Sequence, residues 1–413
     1  MLNDPLIKPL RFMKANVRVQ LSLMMFLQYF IWSSWYVTMS TFLSKSLNCT
    51  DVQIGSAYGF TAFAFIISPI FTGLIADKFF DSEKIIGVLH LVGAALLYLM
   101  SLSDGFSTFF PLLICYMLLY APTIALTSSV AMQQSANPDK DFPSIRVLGT
   151  IGWIVAGLII GFGGLDEASS QPFLLAAIAS VVLGLYSFAL PNTPPKDKNE
   201  KVDIKKVFAL DAIGMLKKRS FRTLIIAIFL IYIPMTFYFQ FGHLFMTELS
   251  IERVAAKQTI GQVSEIGFML ALPFFLRKFG LKLILLVGMG AWVLRYVLFG
   301  YADGGDNLWM VIGGIALHGI CYDFLFISTQ IYVDKLAPKN LRSSAQALMA
   351  TATYGIGMFV GAYAAGLVGQ QFSLVNNTHE WKPIWLIAAT GVLLILIWFS
   401  FFFKDESSPQ NNE

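Results

Sequence analysis

The chain reads as an all-α polytopic membrane protein of twelve transmembrane helices arranged as two groups of six, and three observations predict this. Of its 413 residues 56% are hydrophobic and only 13% charged, with a mean hydropathy of +0.67, outside the usual range of soluble globular domains. Apolar runs of roughly 20 residues, the length that crosses a hydrocarbon core, recur twelve times. Lys and Arg are dense in one set of the intervening loops and sparse in the alternate set, the asymmetry that orients membrane helices.

In chain order, a mixed segment carrying Lys8, Arg11, Lys14 and Arg18 precedes a run too long for a signal-peptide core and without a small-residue cleavage pattern, so this run is the first span. Spans are predicted at 19–43, 53–76, 85–102, 108–132, 144–165 and 172–190, and again at 222–247, 258–276, 281–300, 308–333, 343–369 and 383–403. With the N-terminus cytoplasmic, 23 of the 29 Lys and Arg fall in cytoplasmic segments. Lys45, Arg253, Lys257 and Lys382 fall outside, and Arg146 and Arg295 lie in or near the membrane. A miscounted helix would invert every later loop, so the charges test the count independently. This orientation places both termini on the cytoplasmic side of a multi-pass membrane protein.

The long connection between the groups opens Pro191-Asn-Thr-Pro-Pro195 and runs through a Lys-rich stretch to Leu210, Ile213 and Met215. It reads as a linker ending in an interfacial helix with a basic face. The chain therefore divides into a six-helix half over 1–190, a cytoplasmic linker over 191–221 and a second six-helix half over 222–413. Paired halves of this kind are a transporter architecture, with substrate near the midplane where they meet. The basic residues lie between apolar runs and not along a groove interleaved with aromatics, which excludes nucleic acid as a partner. Cys49, Cys115 and Cys321 are far apart, and neither a disulfide framework nor a zinc site is indicated. The glycosylation matches at Asn48 and Asn376 are taken as chance.

Four stretches set polar side chains inside apolar runs. In Phe26-Leu-Gln-Tyr-Phe-Ile-Trp-Ser-Ser-Trp-Tyr36, Gln28, Trp32 and Trp35 fall near one helix face, either as a stacking wall for a flat ring or as packing and an interfacial aromatic belt. In the fifth span Arg146, Thr150 and Trp153 share a face, offering fixed donors, a hydroxyl and an indole. Arg146 reads equally as an anchor reaching to the headgroups. Gly149, Gly152, Gly157 and Gly161 there serve close helix packing. The eighth span carries Gln262 and Glu265 on one face. A carboxylate at bilayer depth is costly unless it meets a partner, a bundle interior or a water-filled cavity, so it marks a functional site. The tenth span carries His318-Gly-Ile-Cys-Tyr-Asp323, with Asp323 the second such carboxylate and His318 either a hydrogen-bonded core histidine or a proton carrier. Arg295 is a candidate partner for Asp323 or Glu265 in a buried structural pair.

No nucleotide-binding loop, dinucleotide fingerprint, zinc spacing or nucleophile elbow appears, so no enzyme chemistry is indicated. Energy for accumulation then comes from an ion gradient, with no cofactor and no metal.

After the second span, Gly73-Leu-Ile-Ala-Asp-Lys78 resembles the signature found there in the major facilitator superfamily, although Phe79, Phe80, Asp81 and Ser82 replace the basic residues that usually follow. Arg277-Lys-Phe-Gly-Leu-Lys282 is a degenerate echo after the eighth span. More specifically, the chain resembles the nucleoside:proton symporter family of that superfamily, the bacterial nucleoside permeases. The likeness runs from the first span to the twelfth. It is carried by Phe26-Leu-Gln28 with Trp32-Ser-Ser-Trp35, Asp141-Phe-Pro-Ser-Ile-Arg146 with Gly149-Thr-Ile-Gly152, Gln262-Val-Ser-Glu265, Pro273-Phe-Phe-Leu276 with Ala291-Trp-Val-Leu-Arg295, and Asp323-Phe324.

The resemblance implies proton-driven uptake of nucleosides through that superfamily's fold, with Arg146, Thr150, Gln262, Glu265, Tyr322 and Asp323 in the nucleoside site and Trp153 at an aromatic position. Gln28, Trp32 and His318 complete the candidate set. Glu265 is the first candidate for the coupling proton and Asp323 the second. The chain departs from the family at Thr236 and Phe239, where amides are found although Gln240 is adjacent, and at His318, where a tyrosine is found. These departures bear on base and ribose selectivity. The expected partners are a nucleoside, protons and the bilayer, with the protein acting as a monomer. The alternatives are a proton-coupled transporter of another small polar solute, such as a sugar, a glycoside or a modified nucleobase, or a non-transporting membrane sensor.

Overall fold

A computed structural model describes residues 13–71, 80–195, 210–339, 341–376 and 378–406. The loop signature at 73–78 and the Lys-rich part of the connection between the groups lie outside the described residues. Almost everything described is helical, and the one extended pairing is an isolated bridge between Ser373 and His379. We number the helices by span: α1 (Ala15–Tyr36, continued by Met39–Thr41 and a π turn Phe42–Ser46), α2 (Asp51–Phe71), α3 (Ser82–Ser101), α4 (Phe106–Gln134), α5 (Pro138–Phe162) and α6 (Gln171–Ser187). The second group begins with α7 (Arg219–Glu248). Two helices follow over Val254–Tyr301 and turn at Gly280, the residue between them with non-helical backbone: α8 (254–279) and α9 (281–301). α10 comprises Leu308–Ala316, His318–Tyr322, a π turn Asp323–Ile327 and Ser328–Leu336. α11 comprises Arg342–Ala350, a π turn Thr351–Gly357 and Met358–Gln371, and α12 is Trp381–Phe402.

Among the described residues twelve helices are therefore traced where twelve apolar runs were expected. Seven helical stretches, with α8 and α9 counted as one, are long and apolar enough to cross a membrane, and the two parts of α10, bent by 43°, make an eighth. Gly280 makes the turn from α8 to α9, its φ of +72° being open to glycine at no steric cost. The segment before α7, expected as an interfacial helix with a basic face, is a 3-10 helix, Leu210–Lys217. Its short, tight winding suits a connector leading into a longer helix.

The start of α1 and the end of α12 lie at one end of the bundle, and the turns α1–α2, α5–α6, α7–α8 and α11–α12 lie at the other, the far end. Two large apolar cores are present among the described residues, beside a small cluster of Leu272, Ile284 and Phe324. One is built on Trp35, Tyr58, Tyr116 and Phe173 from the first group, and the other on Trp292, Tyr296, Trp385 and Phe245 from the second. Phe239 of α7 packs against both. Large apolar side chains such as Phe162, Leu185, Leu270, Leu367 and Phe401 stand exposed around the perimeter. Such a girdle is a liability in water and is the surface a bilayer solvates.

Glycine sets how closely the groups meet at the far end. A Cβ on Gly161 of α5 would lie 2.6 Å from the Cβ of Ala256 on α8, and one on Gly157 would meet Thr259 and Ala255. Polar contacts seal the same end. Thr41 bonds His243 at 2.7 Å, Glu167 meets His243 at 2.9 Å, Lys45 meets Glu248 at 2.7 Å, and His379 meets Asp51 at 2.9 Å. Each pair takes one member from each group.

Candidate functional site

Below this seal the two groups part around a cavity of about 540 Å³, a size that takes a ligand of a few rings. Its walls come from α1, α2, α4 and α5 on one side and from α7, α8, α10 and α11 on the other. Eight of the ten predicted site residues line it: Trp32, Arg146, Thr150 and Trp153 from the first group, and Gln262, Glu265, His318 and Tyr322 from the second.

On the first side, Pro138 starts α5 well before the predicted span, so Arg146 sits more than two turns inside the helix. Its guanidinium lies 3.9 Å from the centroid of the Tyr29 ring. The glycine at 149 permits this, because a Cβ there would come within 2.6 Å of the ring and 2.8 Å of the guanidinium. Held over an aromatic face, the cation stays in the cavity and does not serve as an end anchor. Trp32 is the hub of an aromatic wall, with ring centroids 5.7 Å from Trp153, 5.5 Å from Phe65 and 5.9 Å from Tyr36.

On the second side Glu265 faces His318, with 3.6 Å between carboxylate oxygen and Nε2. The Glu265 side chain is one-fifth exposed, toward the cavity. The His318 ring stacks on Tyr322 at 5.8 Å, and the Tyr322 hydroxyl hydrogen-bonds the Tyr354 hydroxyl at 2.6 Å. Tyr354 stands in the π turn of α11, and Asp323 opens the π turn of α10. Such turns shift the side chains that follow them and recur at functional sites.

Two expected site residues, Gln28 and Asp323, do not line the cavity. Gln28 is fully buried inside the first group, donating to Thr123 at 2.8 Å and accepting from the His90 ring at 2.9 Å. Its amide is consumed by that network, so it braces α1 against α3 and α4. Asp323 is fully buried behind the wall next to Tyr322, and neither carboxylate oxygen has a hydrogen-bond partner. The structural pair considered for Arg295 is not formed. Its Nε donates to the Gly314 carbonyl at 2.8 Å, and its guanidinium lies 4.4 Å from the Tyr238 ring and 4.6 Å from the Trp292 ring. Of the α7 positions, Phe239 lines the cavity with Met235, whereas Thr236 donates back to the Tyr232 carbonyl and Gln240 is buried.

The sequence reading missed Tyr29, Tyr36, Thr61, Phe65, Tyr354 and Met358. Tyr29 and Tyr36 carried a usable signal, since Tyr29, Trp32 and Tyr36 follow the i, i+3, i+7 spacing of one face. Chemically the cavity is a flat aromatic slot with a cation and a hydroxyl on one side and an amide, a carboxyl and paired phenols on the other. This suits a planar heterocycle carrying several donors and acceptors.

Known proteins share the sequence and fold of this chain along nearly its whole length. The family model described as nucleoside H+ symporter matches residues 14–408. The putative nucleoside transporter YegT of Escherichia coli (strain K12) is 40% identical over 402 residues, 94% of each chain. The xanthosine permease of the same organism is 32% identical over 411 residues, 96% of this chain and 98% of its own. A crystal structure of the nucleoside transporter NupG superposes with a TM-score of 0.86 at 26% identity, over 95% of this chain and all of that one. A match running from the first span to beyond the last, on twelve helices with the major facilitator superfamily fold, places this chain in the nucleoside H+ symporter family.

Proposed function

We propose that the protein imports nucleosides by proton symport through alternating access of its halves, 1–190 and 222–413, joined by a cytoplasmic linker at 191–221. In this reading it is a monomer in a bacterial inner membrane with both termini cytoplasmic. The far end of the bundle then faces outward, and the sealed far end above an open cavity is the inward-facing state. The observation that carries the reading is the cavity itself, in which Arg146 and Thr150 of one half face Gln262 and Glu265 of the other across a slot lined by Trp32, Trp153 and Tyr322. Ribose hydroxyls and base amides need paired donors and acceptors, and the base needs an aromatic face. A ligand bridging both sides draws the halves together only when bound, which ties reorientation to occupancy.

Glu265 holds the coupling proton, within reach of His318 and open to the cavity, and Asp323 is the second carboxyl of the same half. Gln28 serves as scaffold. The test is uptake of labelled uridine into proteoliposomes with and without an imposed inward proton gradient. The reading requires gradient-dependent accumulation, competed by unlabelled nucleosides and not by sugars. Competition by a sugar alone reassigns the substrate class, and absence of any flux refutes transport.

A further inference from the structure

The turn between α11 and α12 is pinned by the Ser373 to His379 bridge and by the Glu380 amide donating to the Phe372 carbonyl at 2.9 Å. It delivers the His379 ring, buried, into the seam between the halves. Nε2 lies 2.9 Å from Oδ1 of Asp51, the first residue of α2, and Nδ1 lies 3.1 Å from both carboxylate oxygens of Glu248 at the end of α7. Both ring nitrogens thus face carboxylate oxygens. A neutral imidazole has one N–H, which would leave a lone pair against one carboxylate, whereas the imidazolium donates to both. The His379 amide and the Trp381 indole also donate to Glu248, and Trp381 covers the ring at 4.6 Å.

The charged groups facing this ring from the packed elements are Asp51 of α2, Glu248 of α7 and, through Glu248, Lys45 at the end of α1. Glu380, its neighbour in the chain, is exposed. With His379 protonated the cluster has two cations and two carboxylates. Without that proton, Asp51 of one half and Glu248 of the other meet across the seam with only Lys45 to compensate.

We propose that His379 is a proton-binding site on the outer seam, and that the proton it holds latches the outer ends of the two halves together. The inference rests on the alternating-access reading above. Opening the seam parts Asp51 from the ring and admits water, and the proton leaves to the outer solution. Closing takes a proton up from that same solution. The proton therefore gates the carrier without crossing the membrane, and its role is separate from that of Glu265.

The electrostatics give the direction. Burial alone lowers the pKa of His379, but hydrogen bonds and charge from Asp51 and Glu248 outweigh it and raise the value from 6.5 to about 9. A value raised in the closed state means that the latch is fully engaged below the ordinary pKa of the open ring and is lost as pH rises through about 9. Over that span the closed-to-open ratio changes by at most about 300-fold. Glu248 moves with the same half as His379, so the retained contact makes this an upper bound.

The test measures distance across the outer face by paired spin labels on Asp104→Cys and Asp306→Cys, two exposed loop positions on opposite halves, with the exposed native thiol removed as Cys115→Ala. The full chain is reconstituted in liposomes without substrate. The labels should report the short distance at pH 6 and a growing long-distance population as pH rises toward 9.5. His379→Gln should populate the long distance already at pH 6, with no pH response. His379→Lys, which keeps a cation at the seam, should stay closed to pH 9.5. Asp51→Asn gives a milder version of the Gln result should the ring variant fold poorly. Identical distributions for wild type at pH 6 and 9.5, or for wild type and both His379→Gln and Asp51→Asn, overturn the proposal. No nucleoside enters this measurement, so its failure leaves the uridine uptake result standing, and failure of uridine uptake leaves the latch measurable.

Discussion

Replacing Glu265 by Gln isolates the proton from the pocket. The glutamine has the same length and still presents an oxygen acceptor toward the cavity and toward His318, 3.6 Å from the native carboxylate. It cannot carry a proton between the two solutions. One proton moving down 100 mV releases about 2.3 kcal/mol, which sustains about a 50-fold concentration ratio of a neutral solute at one proton per nucleoside. In proteoliposomes with that driving force, wild type should approach such a ratio of labelled uridine, and Glu265→Gln should stop at a ratio of about one. Exchange of internal unlabelled for external labelled uridine needs no net proton, so it should survive within a few-fold, because Arg146, Thr150 and Gln262 are untouched. Accumulation by the variant to the wild-type ratio refutes the assignment. If Asp323→Asn then fails to accumulate, the transported proton belongs to Asp323.

Gln28→Leu should lower stability by about 2 to 4 kcal/mol, since the buried groups of His90 and Thr123 each lose a partner; a thermal unfolding scan in detergent reads this, with the KM for uridine unchanged. Gly161→Leu forces a side chain into the space of Ala256, so uptake should fall at least about ten-fold at normal membrane abundance, a penalty of at least about 1.4 kcal/mol on the closed seam. Tyr354→Phe leaves the Tyr322 hydroxyl unpaired, and calorimetry should show uridine affinity weakened about five-fold, the loss of about 1 kcal/mol that one such hydrogen bond carries.

The spans were legible because apolar length and loop charge are local properties of the chain. Residue faces were less so. On α1 the sequence puts Gln28, Trp32 and Trp35 near one face, but the cavity takes Tyr29, Trp32 and Tyr36, a rotation of about 65° with Trp32 common to both. Both readings fit a helix that is apolar all round, and only the neighbours of α1 decide between them. Pro138 looked like loop and is the helix start, which is why Arg146 lies deeper than its span boundary suggested. Tyr354 and Asp323 sit in π turns, whose extra residue per turn leaves no periodic trace. The latch was invisible for another reason. Asp51 and His379 are separated by most of the chain, and each alone reads as an ordinary polar residue in a loop or at a helix start.

The charges on the two halves bear on how the membrane potential acts in the proposed cycle. Inside the membrane the first half contributes the cation of Arg146, and the second contributes Arg295, Glu265 and Asp323. In the proposed cycle one proton taken up on Glu265 or Asp323 with a neutral nucleoside makes the loaded carrier one charge more positive than the empty one, so each turn of the cycle carries one positive charge inward and a potential negative inside drives uptake. Uridine uptake at equal pH on both sides should therefore rise when a potassium diffusion potential, negative inside, is imposed, while equilibrium exchange should not change. If the potential leaves uptake unchanged, another charge compensates in the loaded state, and His318 beside Glu265 is the group positioned to do so.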